Sequence, residues 1–148
     1  MKVNLNKMHK PIKIILSALF TAYMLLLLYL TFFSHYYGRE VMHRSINIIP
    51  LKTIIDFLTA GYNINSIITN LVGNIVAFMP MGFLLPKVFK RFGRFHKVLV
   101  ISLFVSLLIE VSQYISGVGA SDIDDVILNV LGAVIGYWIC PIPKLQRE

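Results

Sequence analysis

The residues of this 148-residue chain that could do chemistry crowd into one stretch, residues 110–136. Glu110 and Gln113 stand three residues apart near the end of an apolar run. Asp122, Asp124 and Asp125 follow a short glycine-bearing loop, and Asn129 comes one helical turn later. Asn70 and Asn74 form a second pair in an earlier apolar run. Carboxylates and amides in this number support proton transfer by a general acid or base, hydrogen bonding of a polar ligand, or coordination of a divalent cation. The spacing carries no ligand geometry for a cation, so neither metal nor cofactor is expected. His9, His35, His43 and His96 all lie outside the apolar runs and at no metal-ligand spacing. Cys140 is the single cysteine, which excludes an intrachain disulfide and reads as a small packing residue. That leaves Glu110 as the candidate catalytic group, with no nucleophile-and-base pair beside it; Ser106 nearby is too thin a basis for one.

The composition says where these groups must work. Hydrophobic residues make up 57% of the chain and charged residues 14%, against about 25% in soluble domains. The charges are clumped, which leaves long stretches without any, and this is the pattern of an integral membrane protein. The net charge of +7 sits at the edges of the apolar runs. It therefore fits orientation in a bilayer and contact with anionic headgroups, and argues against a nucleic-acid partner.

The elements follow from the runs. Ile14–Phe33 carries no charge and is long enough to span, and TFFSHYY after it offers no small-residue cleavage site. Leu51, Ile54, Ile55 and Leu58 recur at helical spacing behind Pro50, with Lys52, Thr53 and Asp56 on other faces. They predict a short amphipathic helix on the membrane surface, with a loop packed over the bundle as the equal alternative. Further runs occupy Ser66–Leu85, Val98–Ser116 and Asp125–Ile142. Pro80 and Gly82 inside the second run imply a kink or local unwinding. Tyr36 and Tyr37 after the first run, and Tyr137 and Trp138 near the end of the last, lie at interfacial depth. The expected fold is all-α: a polytopic membrane protein of one domain over residues 1–148, with spans near 14–33, 66–85, 98–116 and 125–142 and the amphipathic helix in the first external loop. Eleven of the 14 Lys and Arg residues lie before Ile14, in residues 87–97 or in the tail, which predicts both termini in the cytoplasm.

On that topology the polar residues share a depth. At 1.5 Å per residue, Asn70 and Asn74 lie roughly 6 and 12 Å from the outer end of their helix, Gln113 and Glu110 roughly 5 and 9 Å, and Asp125 and Asn129 roughly 2 and 8 Å. Each set also lines one helix face: Asn70 and Asn74; Ser102, Ser106, Glu110 and Gln113; Asp125, Asn129, Gly132 and Gly136. The two glycines form a small-xxx-small pair that admits a neighbouring helix. An acid at the centre of a span costs about 2.5–3.5 kcal/mol, and no Lys or Arg lies inside any span to offset it. Glu110 is therefore expected to have a raised pKa, a wet pocket, or both. The structural alternatives stand beside the functional ones: Asn and Gln as interhelical ties, and Asp122 and Asp124 as no more than a loop end and a helix cap.

These residues resemble the VanZ-like family of small bacterial membrane proteins. The resemblance runs from about Asn47 to Tyr137: Asn47-x-x-Pro50 with Thr53 and Ile54, NLVGNIVAFMPMGFLLP at 70–86, Glu110-x-x-Gln113, and DIDDVILNVLGAVIGY at 122–137. Each part is weak alone; the order and spacing are specific. The family's polar positions fall on Asn70, Asn74, Glu110, Gln113, Asp125 and Asn129, and these are the candidate binding residues. Many members carry an arginine before the aspartates where this chain has Gly119. The family takes its name from a protein that lowers susceptibility to teicoplanin. The resemblance implies a non-enzymatic accessory factor of the bacterial cytoplasmic membrane and cell envelope, with an outward polar pocket for a lipid, a cell-wall precursor or a lipoglycopeptide. The alternatives are a membrane-embedded enzyme on a lipid-linked or cell-envelope substrate, with Glu110 as acid/base, and last a small proton-coupled carrier.

Overall fold

The computed structural model of the chain describes residues 5–33, 46–117 and 120–140, with side chains from residue 11 onward. Tyr36, Tyr37, Gly119 and the tail beyond Cys140 lie outside them. The described residues are mostly helical. Helix α1 is Leu5–Phe32, strand β1 is Ile46–Asn47, and helix α2 is Lys52–Thr59. Helix α3, Ile64–Ile67, runs through a π turn at Ile68–Val72 into α4, Gly73–Val88. A 3₁₀ turn at Lys90–Phe92 leads to α5, Phe95–Ser116, then β2, Ser121–Asp122, and α6, Ile123–Ile139.

Three of these rods are long and apolar enough to cross a membrane: Pro11–Phe32, the continuous Ile64–Val88, and Phe95–Ser116. The fourth apolar run forms α6, which at 17 residues is shorter. Leu25, Val100, Phe104 and Leu108 are among the large apolar side chains that these helices turn outward. A surface of that kind is costly against water and natural against hydrocarbon. Local signals set the helix ends. The Asn63 side chain accepts from the Ser66 amide at the start of α3, and Gly117 closes α5 with φ +67°.

The π turn, rather than Pro80 and Gly82, is where the second rod departs from regular α geometry: α4 is helical through both Pro80 and Pro86. Gly82 instead serves packing. A Cβ built there would lie 1.9 Å from the Ala133 carbonyl oxygen of α6. A Cβ at Gly132 would lie 2.0 Å from the Ile75 oxygen, and one at Gly136 1.9 Å from the Met79 oxygen. Helices α4 and α6 thus meet backbone to backbone along three glycines, the closest approach that helices can make. Helices α5 and α1 complete the bundle, α5 packing on α6 and α1 on α4. Leu27, Phe78, Met81, Ile109 and Ala133 fill the middle of the bundle, and Leu85, Val98, Tyr137 and Cys140 fill one end. Tyr137 therefore faces inward, where its hydroxyl donates to the Gly93 carbonyl at 3.1 Å, while Trp138 stays exposed.

The seam gives a direct prediction. Gly136→Ala must push α6 off the Met79 backbone, and is expected to destabilise the protein by about 1–3 kcal/mol. Val76→Ala, on the exposed face of α4, is expected to change stability little. Thermal unfolding in detergent, followed by Trp138 fluorescence, compares the two.

Candidate functional site

Strands β1 and β2 pair in parallel, with Ile46 opposite Ser121 and Asn47 opposite Asp122. The pairing draws the segment ahead of α2 onto the loop between α5 and α6, and three carboxylates hold it there. Asp122 is the N-cap of α6: its side chain accepts from the Asp124 amide at 2.8 Å. The same carboxylate accepts from the Asn47 side-chain amide at 3.0 Å and from the Thr53 hydroxyl at 2.5 Å. Asn47 also donates to the Thr53 hydroxyl oxygen at 2.9 Å and accepts from the Ile49 amide at 3.1 Å, an Asx turn that shapes the approach to α2.

Asp124 does not cap its own helix. It is fully buried, and its carboxylate reaches across to the start of α2. There it accepts from the backbone amides of Leu51 at 2.6 Å, Thr53 at 2.8 Å and Ile54 at 3.2 Å. Leu51 adopts a left-handed conformation, φ +66°, at a cost of about 1–2 kcal/mol for a residue with a Cβ. The turn is retained because it aims three amides at one carboxylate, a concave anion site of backbone N–H groups filled by the chain's own acid. The α2 N-terminus lacks a side-chain cap of its own, so Asp124 supplies the cap from the other side of the fold.

Glu110 supports the same structure from below. It is buried in α5, and its Oε2 accepts from the Asp122 amide at 2.9 Å. Gln113, one turn further on and also buried, donates to the Thr31 carbonyl of α1 at 3.3 Å. Across the α4–α6 seam, Asn74 donates to Asp125 at 2.5 Å, and both residues are half-buried. Asn129 lies one turn below Asp125, where it donates to the buried Ser106 hydroxyl at 2.9 Å; its own carbonyl oxygen is buried without a partner among the described residues. Asn70 is not drawn into these contacts. Its side-chain amide, in the π turn, donates at 2.8 Å to the Ser66 carbonyl of α3 in the same rod.

The six polar positions expected from the sequence therefore divide. Glu110 and Gln113 tie α5 to β2 and α1, Asn129 ties α6 to α5, and Asn74 and Asp125 form an accessible pair between α4 and α6. Asn70 stands one turn from that pair. Sequence reasoning undervalued Asp122 and Asp124, whose carboxylates each accept three hydrogen bonds here. Asn47 and Thr53 could have exposed this: two polar side chains beside Pro50, outside every apolar run, are well suited to meeting buried acids. Among the described residues no group of three or more His, Cys, Asp or Glu side chains is arranged to hold a metal ion.

Replacement of Asp124 tests the cap. Asp124→Ala strands three backbone amides and is expected to cost about 3 kcal/mol. Asp124→Asn is expected to be nearly as harmful, because its NH₂ would face donors. Hydrogen exchange in both variants should speed up at Leu51, Thr53 and Ile54 first, while the amides in the middle of α5 stay protected.

The chain as a whole is similar to known proteins. No solved structure matches the chain. The chain is 30% identical over 128 residues to the protein VanZ of Enterococcus faecium, an alignment that covers 84% of this chain and 72% of that protein. The profile of the VanZ/LLP1 family matches residues 20–144, a range that holds all six polar positions, the acids at 122 and 124, and the glycine seam. This chain is a member of the VanZ/LLP1 family.

Proposed function

We propose that this protein is an integral factor of the bacterial cytoplasmic membrane that lowers susceptibility to teicoplanin-type lipoglycopeptides. In this reading α6 is a fourth span, both termini are cytoplasmic, and the carboxylate layer lies at the outer leaflet. The distribution of Lys and Arg supports that orientation. Helix α2 then lies at the outer interface, with Ile55 and Leu58 turned outward and Asp124 holding its N-terminus. A polar pocket beneath it binds a lipid headgroup, a cell-wall precursor or the antibiotic itself.

The observation that carries this reading is the Asn74–Asp125 pair. The acids Asp122 and Asp124 are spent on the roof, and Glu110 is braced against it. Asn74 and Asp125 are half-buried and bonded to one another at the same end of the bundle, which supports a polar contact surface there. Similarity to VanZ supports the cellular role, and the Asn74–Asp125 contact supports the choice of this end of the bundle.

Expression of the chain in a teicoplanin-susceptible bacterium is expected to raise the inhibitory concentration of teicoplanin. Asn74→Ala and Asp125→Asn should remove most of that protection while the protein stays in the membrane at its usual level. Glu110→Gln keeps an acceptor for the Asp122 amide and abolishes ionisation, so a binding factor should tolerate it. Loss of protection in this variant, with normal membrane levels, would shift the reading to acid–base chemistry on an envelope substrate. An unchanged inhibitory concentration on expressing the wild-type chain would overturn the proposal.

A further inference from the structure

A second site lies at the other end of the bundle, away from every acid just described. Between α4 and α6 runs an open cleft of about 300 Å³, lined by Met79, Pro80, Phe83, Leu84, Gly136 and Ile139. The lining is entirely apolar. Gly136 brings backbone alone to the cleft, and its neighbour across the seam is the Met79 backbone. The groove is thus a by-product of the close glycine packing: where two helices touch without side chains, the flank of the contact is left hollow.

Lys87 follows Phe83 by one helical turn on the same face of α4. Its ammonium sits over the Phe83 ring, 3.6 Å from the centroid, which holds the cation against an aromatic side chain that lines the groove. The chain beyond it carries Lys90, Arg91, Arg94 and Lys97. No Asp or Glu occurs between Asp56 and Glu110, nor between Asp125 and Glu148. An apolar slot with a cation held on its lining aromatic ring, beside a basic turn with no local acid, is complementary to one amphiphile: a hydrocarbon chain with a negative headgroup.

We propose that this cleft binds an anionic phospholipid, its acyl chain along Phe83 and Ile139 and its phosphate on Lys87. The leaflet that provides the lipid rests on the topology proposed above; the existence of the site does not.

Native mass spectrometry of the full chain in detergent micelles tests this, because a micelle has no leaflets and the result is independent of the topology and of any antibiotic phenotype. The protein is offered equal amounts of phosphatidylglycerol and phosphatidylcholine with identical acyl chains. Wild type is expected to retain phosphatidylglycerol in preference. Lys87→Gln should reduce that preference by about fivefold, the effect of one cation at a headgroup, and Lys87→Arg should keep it. Lys52→Gln, which removes a cation at the opposite end, should leave it unchanged. Ile139→Trp, which fills the slot from an exposed position, should lower retention of both lipids. Equal retention of the two lipids by wild type, or an undiminished preference in Lys87→Gln, would overturn the proposal.

Discussion

The described structure depends on one carboxylate. Asp124 stands at the start of α6 with no exposed surface and takes the amides of Leu51, Thr53 and Ile54 from a segment some 70 residues earlier. A charge removed from water is expensive unless hydrogen bonds replace its hydration. A helix N-terminus removed from water leaves amides that also need acceptors. Each defect resolves the other. The strained backbone at Leu51 follows from this arrangement, since the three amides converge only if the chain turns through a left-handed residue. The short parallel pairing of β1 with β2, the Asx turn at Asn47 and the cap by Asp122 all hold the two segments in the register that lets Asp124 reach.

Beneath this roof the helices have few polar means of association, because side chains as apolar as their surroundings gain nothing by leaving them. Close packing takes over. Gly82, Gly132 and Gly136 let α4 and α6 touch along their backbones, and that contact brings Asn74 within reach of Asp125. Single hydrogen bonds fasten the other helices: the Tyr23 hydroxyl to the Ala77 carbonyl, Gln113 to the Thr31 carbonyl, and Asn129 to Ser106. The polar layer and the glycine seam are thus one device. The seam sets the distance between α4 and α6, and the distance decides which polar groups meet.

Much of this was legible in the residue order. The apolar runs mark the three long helices, because a stretch without charge has few other uses. The i, i+4 spacing of Gly132 and Gly136 marked a close helix contact before its partner was visible. Equal depth along three helices marked Glu110, Asn129 and Asn74 as members of one end of the bundle. Asn70 shared the depth and missed the contacts, because the π turn at Ile68–Val72 lies around it and depth counting assumes a regular rise. The reach of Asp122 and Asp124 to Asn47, Thr53 and α2 is not legible in the residue order, since local rules for a helix start account for acids there with no reference to the rest of the chain.

The sequence by itself determined the solvent of this protein, its helices and the chemical types available at one end of them. Those properties follow from hydropathy and periodicity, which are local sums over neighbouring residues. Only the tertiary structure decided which acid does what. Asp122 caps its own helix, Asp124 caps a helix from another part of the chain, Glu110 braces β2 through the Asp122 amide, and Asp125 faces Asn74. Four carboxylates of nearly identical intrinsic chemistry take four roles, because a carboxylate's role is set by the donors that surround it, and those donors come from segments far apart in the chain.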